Sequence, residues 1–167
     1  MEDIIIRRMR IEDAEAVTDV LIRSWQTAYR GIVSDECLDN MDRATLIERR
    51  KKQYKDYIVA ESDKGIVGFC WYMNDNSYSK ELSDIDSEIV AIYVLPDLIK
   101  EGIGKKMFSH AVEDLKGQGR KHMIIWCLKD NVNGRRFYEK MGGTMNGEHK
   151  IRIGNDDYDE VGYLFCL

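Results

Sequence analysis

The sequence predicts a mixed α/β fold in which one sheet is joined by crossover helices, not a strictly alternating doubly wound arrangement. Three observations predict it. Residues 85–115 run from an apolar strand (IVAIYVLP) through the glycine-and-lysine turn IKEGIGKK into an amphipathic helix. Residues 122–128 (HMIIWCL) are almost unbroken in apolar character, the pattern of a strand buried on both faces. Two strands close the chain around the turn Gly154-Asn155-Asp156-Asp157.

Each element follows from local pattern. Residues 3–9 read as an opening strand. Residues 13–28 read as a helix because Ala14, Val17, Leu21, Trp25 and Ala28 recur at spacings of three and four. Gly31 interrupts it. Ser34 caps a short turn through Leu38, and Asp42 caps a helix to about Gln53. Residues 57–61 and 66–73 form a hairpin about Asp63-Lys64-Gly65. Residues 74–84 are polar and are expected to be mobile. The central strand, 85–95, leads to a helix over 102–116 with Ile103, Met107, Ala111 and Leu115 on one stripe. Gly117 and Gly119 end it. After the 122–128 strand, Asp130 or Asn131 caps a helix to about Met141, stopped by Gly142-Gly143. The last strands occupy 144–153 and 158–166.

Composition sets the class. At 167 residues, 44% hydrophobic and 33% charged, the chain suits a single soluble domain over 1–167. No apolar run approaches the ~20 residues of a membrane span, and MEDIIIRRMR is not a signal peptide, so a cytoplasmic protein is expected. Cys37, Cys70, Cys127 and Cys166 are far apart, and His110, His122 and His149 have no metal-ligand spacing. Reduced thiols, mostly buried, and no metal are expected. The net charge of −5 argues against nucleic acid as a partner. Asp75, Glu81, Asp84, Asp86 and Glu88 crowd one stretch, whereas the glycine turn and the region of Arg135, Arg136 and Lys140 are basic. An anionic cofactor beside a cationic substrate would suit that division; a solvated acidic loop explains the acids equally well.

The turn at Lys100–Lys105 aims several N–H groups at one spot at a helix start, a ready phosphate cradle. It is not a Walker A loop, because Lys106 follows Gly104-Lys105 and Ile99 stands where the first glycine belongs. Nor is it a dinucleotide fingerprint, because Met107 stands where the third glycine belongs. A nucleotide-binding enzyme is therefore disfavoured.

EIVAIYVLPDLIKEGIGKKM resembles the acetyl-CoA motif of the GNAT superfamily of N-acetyltransferases, and LKDNVNGRRFYEKMGG resembles its N-x-x-A-x-x-F-Y-x-x-x-G motif. The two blocks lie in the family's order and span about a third of the chain. Three positions depart: Ile99 replaces the usual Gln or Arg, Gly134 the common Ala, and Gly143 a common aromatic. The resemblance implies a mostly antiparallel sheet with two parallel, splayed strands in its middle and helices on both faces. It implies transfer of acetyl from acetyl-CoA, with CoA as product, to a primary amine of a small molecule or peptide. Strand amides near Ile92, Tyr93 and Val94 would bond the pantetheine arm, and Lys100, Glu101, Gly102, Ile103, Gly104 and Lys105 would hold the pyrophosphate. Asn131 would bond the arm, and Arg135 and Lys140 would reach phosphates.

The chemistry needs a neutral amine, and an alkylamine with a pKa near ~10.4 is almost wholly protonated at neutral pH. Glu88, the one carboxylate in the apolar central strand, is the candidate base; a rim carboxylate that only binds substrate is the other reading. Tyr138, seven residues after Asn131 as in the motif, would protonate the leaving sulfur; a core aromatic is its other reading. An amide at Val94 or its neighbour would stabilise the oxyanion. Trp25 and Tyr29 resemble a W-x-x-x-Y-R-G pattern bordering the acceptor in some members, and Trp71 is a further candidate wall; each also suits plain packing. A non-catalytic acyl-CoA-binding regulatory domain is the alternative function. Homodimerisation through an apolar edge strand at 158–167 is a further expectation.

Overall fold

The computed structural model describes residues 3–167; Met1 and Glu2, which enter the reading of the N-terminus as no signal peptide, lie outside them. In chain order the elements are β1 (Ile5–Arg8), α1 (Ala14–Ala28), α2 (Asp35–Asp39), α3 (Arg43–Gln53), β2 (Tyr57–Ser62), β3 (Gly65–Met73), β4 (Ser87–Val94), α4 (Ile103–Gly117), β5 (His122–Leu128), α5 (Val132–Lys140), β6 (Thr144–Ile153) and β7 (Asp156–Cys166). The strand order is β1-β2-β3-β4-β5-β7-β6. The pairing of β4 with β5 is parallel, while β1–β2, β2–β3, β5–β7 and β6–β7 are antiparallel. This is the mixed, mostly antiparallel sheet with one parallel pair in its middle that the resemblance implies. None of the described helices is long and apolar enough to cross a membrane.

The described chain divides into two compact units, each discontinuous in sequence. The first takes the residues through Tyr72 and Ala91–Ala111; the second takes Met73–Val90 and Val112–Leu167. None of the three boundaries falls at a linker: they lie inside β3, β4 and α4.

In the first unit, caps fix the helices. The Ser34 hydroxyl accepts the Cys37 N–H, and the Asp42 carboxylate accepts the Thr45 N–H at 3.1 Å, each occupying an amide the helix start leaves without a partner. The Asp13 carboxylate takes the Arg10 N–H and the Arg7 guanidinium, at 2.7 and 2.8 Å, just ahead of α1. The stripe Val17, Val20 and Leu21 of α1 then packs with Met9, Ile47, Tyr57, Val59 and Phe69 in one buried cluster. Gly68 of β3 lets the backbone of β4 approach. A Cβ there would meet the Tyr93 carbonyl oxygen at 2.9 Å and the Met107 methyl at 3.0 Å.

In the second unit, β5 and β7 pair over seven residues, from His122↔Cys166 to Leu128↔Glu160. β7 is flanked by β6 on its other side, so the expected dimer edge at 158–167 is not an edge; two partners already take its backbone groups. The Asp86 carboxylate accepts the N–H groups of Lys121 and His122 at 3.1 and 3.0 Å, tying the entry of β4 to the start of β5. The segment expected to be mobile, 74–84, is instead stapled by Asn76, which is 3% exposed. Its side-chain amide donates to the Leu82 and Ile85 carbonyls at 3.1 and 2.6 Å, and its oxygen accepts the Tyr78 N–H. A short amide side chain satisfies the loop's backbone where no strand can.

Gly68→Ala will lower unfolding free energy by about 1–3 kcal/mol, the scale of overpacking, because the nearest atom is a backbone oxygen that cannot rotate away. Urea denaturation of the two proteins measures it.

Candidate active site

Parallel pairing between β4 and β5 covers only Ser87↔Met123, Glu88↔Ile124 and Ile89↔Ile125. Beyond Ile89 the ladder stops, although β4 continues to Val94. Just past its end the Leu95 N–H donates to the Val67 carbonyl of β3 at 2.8 Å. N–H groups alternate sides along a strand, so that of Tyr93 also turns to β3, while those of Ile92 and Val94 turn to the opposite edge. By that alternation the Ile92 and Val94 amides face away from β3. The Ser24 hydroxyl donates to the Val94 carbonyl at 3.1 Å and fixes this end of the strand to α1.

After Pro96 the chain makes a 3₁₀ turn and enters α4. Lys100 (φ 78°) and Gly102 (φ 83°) are both left-handed, which bends the turn over the helix start. The Lys106 N–H donates to the Gly102 carbonyl at 3.0 Å, so the amides of Gly102, Ile103, Gly104 and Lys105 precede the first helical bond and have no acceptor within the helix. The Glu101 N–H is directed back at the Leu98 carbonyl, 3.5 Å away, and so turns from the cradle. Lys100, Lys105 and Lys106 stand exposed around these amides. Ile99 is 54% exposed.

In the second unit Asn131 caps α5: its side-chain oxygen accepts the Gly134 N–H at 3.1 Å. The Asn131 side-chain NH₂ takes no part in that cap. Gly134 is part of this arrangement, because a Cβ there would lie 2.5 Å from that nitrogen. Gly143 has a similar cause, since a Cβ would meet the Phe165 ring at 2.6 Å. Arg135 donates to the Tyr163 hydroxyl at 3.0 Å and to the Lys129 carbonyl at 3.2 Å. The Tyr163 hydroxyl in turn donates a hydrogen bond to the Glu139 carboxylate at 2.9 Å. Tyr138 is half-buried, edge-on to Phe137 and 6.0 Å from the Tyr163 ring.

Glu88 is 3% exposed. One carboxylate oxygen accepts the Ser77 N–H at 2.7 Å. Burial raises its pKa above the usual carboxylate value more than the Ser77 bonds lower it, and the charge of Asp75 adds to the rise. A second buried carboxylate, Glu160, was not singled out by sequence, although a lone Glu entering the apolar run VGYLF was its signal. Burial and then the charge of Glu88 push Glu160 up to about 7. His149 lies 3.6 Å from it, and burial lowers the His149 pKa. Trp126 stacks at 3.8 Å on His149, and the Tyr78 hydroxyl is 3.3 Å from that ring. The acids of 75–88 are therefore not one substrate-facing row: Asp86 is spent on backbone amides, and Glu88 is bonded by Ser77.

The expected aromatic wall is largely a packed cluster. Tyr29 is buried and shares a 2.8 Å hydroxyl contact with Tyr93. Trp71 stacks on Tyr57 at 5.4 Å and 10°. Trp25 stands edge-on to Tyr29, and its indole N–H is buried without a hydrogen-bond partner. The Cys127 thiol, pushed up to about 12 by burial, stays protonated near neutral pH and is no nucleophile.

A sheet whose central parallel pair parts early, followed by a glycine turn at a helix start, is the arrangement of an acyl-CoA-dependent transferase. The chain belongs to the acetyltransferase (GNAT) family, whose sequence profile matches residues 18–143. It is 26% identical over 159 residues to an uncharacterised N-acetyltransferase, YuaI, of Bacillus subtilis, covering 94% of this chain and 90% of that one. It is 27% identical over 148 residues to a spermidine N(1)-acetyltransferase of Thermoplasma acidophilum, covering 82% and 86%. The fold is similar to that of the PaiA N-acetyltransferase of Thermoplasma acidophilum, solved in complex with coenzyme A, with a TM-score of 0.72, 23% identity and 95% and 98% coverage.

Glu160 binds a proton in the folded protein that the unfolded chain has released between about pH 4.5 and about 7, so stability falls as pH rises through that window. Glu160→Gln removes this loss. Its Tm should exceed that of the parent at pH 8 by about 2–4 °C for each kcal/mol regained, and by much less at pH 4.5. Thermal melts at the two pH values check it.

Proposed function

We propose that this N-acetyltransferase moves acetyl from acetyl-CoA to a primary amine of a small molecule or peptide by direct attack on the thioester. The early end of the β4–β5 ladder carries the reading, because it leaves the Ile92 and Val94 amides on an open strand edge that leads into the α4 cradle. Acetyl-CoA supplies the activated acyl group. The amides of Gly102, Ile103, Gly104 and Lys105 fit a pyrophosphate, and Lys100 and Lys105 add the charge that Ile99 does not. The Ile92 N–H suits an amide carbonyl of the pantetheine arm. The Val94 N–H then faces the thioester oxygen and stabilises the charge it gains during attack.

The amine must lose a proton. Glu88, held less acidic by burial, accepts it through water, since its carboxylate lies under Ser77. Tyr138 donates its phenolic proton to the departing sulfur. The competing reading is a non-catalytic acyl-CoA sensor, favoured by that same covering of Glu88.

Calorimetric titration should give micromolar binding of acetyl-CoA and CoA with ATP silent; no binding of either CoA species would contradict the cradle. Tyr138→Phe should cut kcat by about 10²-fold and leave the affinity for acetyl-CoA within about twofold. A sensor would instead show no thiol release with any amine. Glu88→Gln should abolish the acid limb of the kcat/KM–pH profile, the limb on which the parent gains rate as its base ionises.

A further inference from the structure

The first unit buries an arginine with no counter-ion. Arg50 of α3 is 7% exposed, and its Nε is buried without a partner. Among the described residues no carboxylate pairs with it. The contrast within the same unit is sharp: Arg7 reaches Asp13 and Glu61, Arg23 reaches Asp97, Arg30 reaches Asp35 and Asp39, and Arg43 reaches Asp19 and Glu15. An isolated charge taken out of water costs several kcal/mol unless an opposite charge meets it. The strain is felt at the group itself: burial lowers the Arg50 pKa.

The missing partner has a definite chemistry. The Trp25 indole N–H and the hydroxyl of Tyr57, a residue that is 0% exposed, are also buried without hydrogen bonds. Trp25, Tyr57 and the α3 residues Ile47 and Tyr54 on either side of Arg50 belong to one packed cluster. The Arg50 charge is felt at Tyr57, and Tyr93 acts on Arg50 in turn. A buried cation with an unpartnered Nε, an indole donor and a phenol hydroxyl able to donate suit an anion that accepts from them. A carboxylate is the planar one that a guanidinium fork matches in two bonds. The cluster also reaches the acyl strand, since Tyr93 lies between Ile92 and Val94 and packs against it. A carboxylate seated at Arg50 therefore belongs to a molecule whose other end can approach the strand edge.

We propose that Arg50, with Trp25 and Tyr57, binds the carboxylate of the acceptor, so that the acceptor is an amine bearing a carboxylate, such as an amino acid or a short peptide. The assignment of the carboxylate to the acceptor rests on the transferase reading; the anion site itself does not. A polyamine such as spermidine offers Arg50 nothing to bind.

The test uses matched ligands: α-amino acids, their C-terminal amides and their decarboxylated amines, with spermidine, acetate and inorganic phosphate as further arms. Thiol release gives turnover, and tryptophan fluorescence gives binding without turnover. The carboxylate forms should show KM values at least ~10-fold below those of the amides, a margin that corresponds to about 1.4 kcal/mol. Arg50→Met should erase that preference and keep the affinity for acetyl-CoA. If Arg50→Met does not fold, Trp25→Phe and Tyr57→Phe each remove one donor, keep an aromatic ring and should weaken the carboxylate preference alone. Carboxylates that bind the parent but not Arg50→Met, with no amine acetylated, would retain the anion site and remove the transferase reading. Equal use of carboxylate and amide, a preference for spermidine, tighter binding of phosphate than of any carboxylate, or a preference untouched by all three variants would overturn the proposal; the last would leave Arg50 holding an internal water.

Discussion

The short parallel ladder between β4 and β5 is the constraint on which the site depends. Three residue pairs hold the two strands, ending at Ile89 and Ile125, and no fourth follows. Had the pairing continued, the Ile92 and Val94 amides would be consumed by a neighbouring strand. Because it stops, β4 keeps one satisfied edge toward β3 and one unsatisfied edge in its last residues. Unpaired strand amides are costly unless water or a ligand meets them. The same strand then delivers the chain to the α4 start, where four more amides are unpaired. The unpaired groups here belong to backbone more than to side chains, so the proposed cradle does not depend on a polar side chain at Ile99.

Side chains near the site are mostly occupied in holding backbone. Asn131 caps α5, Asp86 ties two amides at the start of β5, Asn76 staples the 74–84 segment, and Arg135 braces Tyr163. Against that background the unanswered groups stand out. Glu88 and Glu160 are carboxylates in low dielectric, and Arg50 is a cation in the same condition in the other unit. A group kept at such a cost is a candidate for function.

Much of the fold was legible because its signals are local. The caps at Ser34, Asp42 and Asn131, the stripes of α1 and α4, and the apolar run of β5 each appear within a few residues of sequence, and their boundaries agree with the structure to within about two residues. The run of strand, glycine turn and helix from β4 into α4 was legible for the same reason, since its parts are contiguous. What the sequence did not disclose was set by tertiary partners. Nothing local says that Asn76 would reach Leu82 and Ile85, or that Arg135 would turn to Tyr163. Arg50 sits in RRKK, which reads as a solvated basic stretch; only the packing of α3 onto the aromatic cluster makes it a buried charge. The division of β4 between two units was hidden too, because no change in composition marks it.

The central claim is that the Ile92 and Val94 amides are unpaired in the protein alone and are paired by the acyl-CoA arm. Amide hydrogen exchange resolved by residue, with and without CoA, tests it most directly. The account predicts fast exchange at Ile92 and Val94 in the free protein, slow exchange at Tyr93 in both states, and protection of Ile92 and Val94 once CoA is bound. Slow exchange at Ile92 and Val94 without CoA, or exchange that CoA does not change, would contradict it.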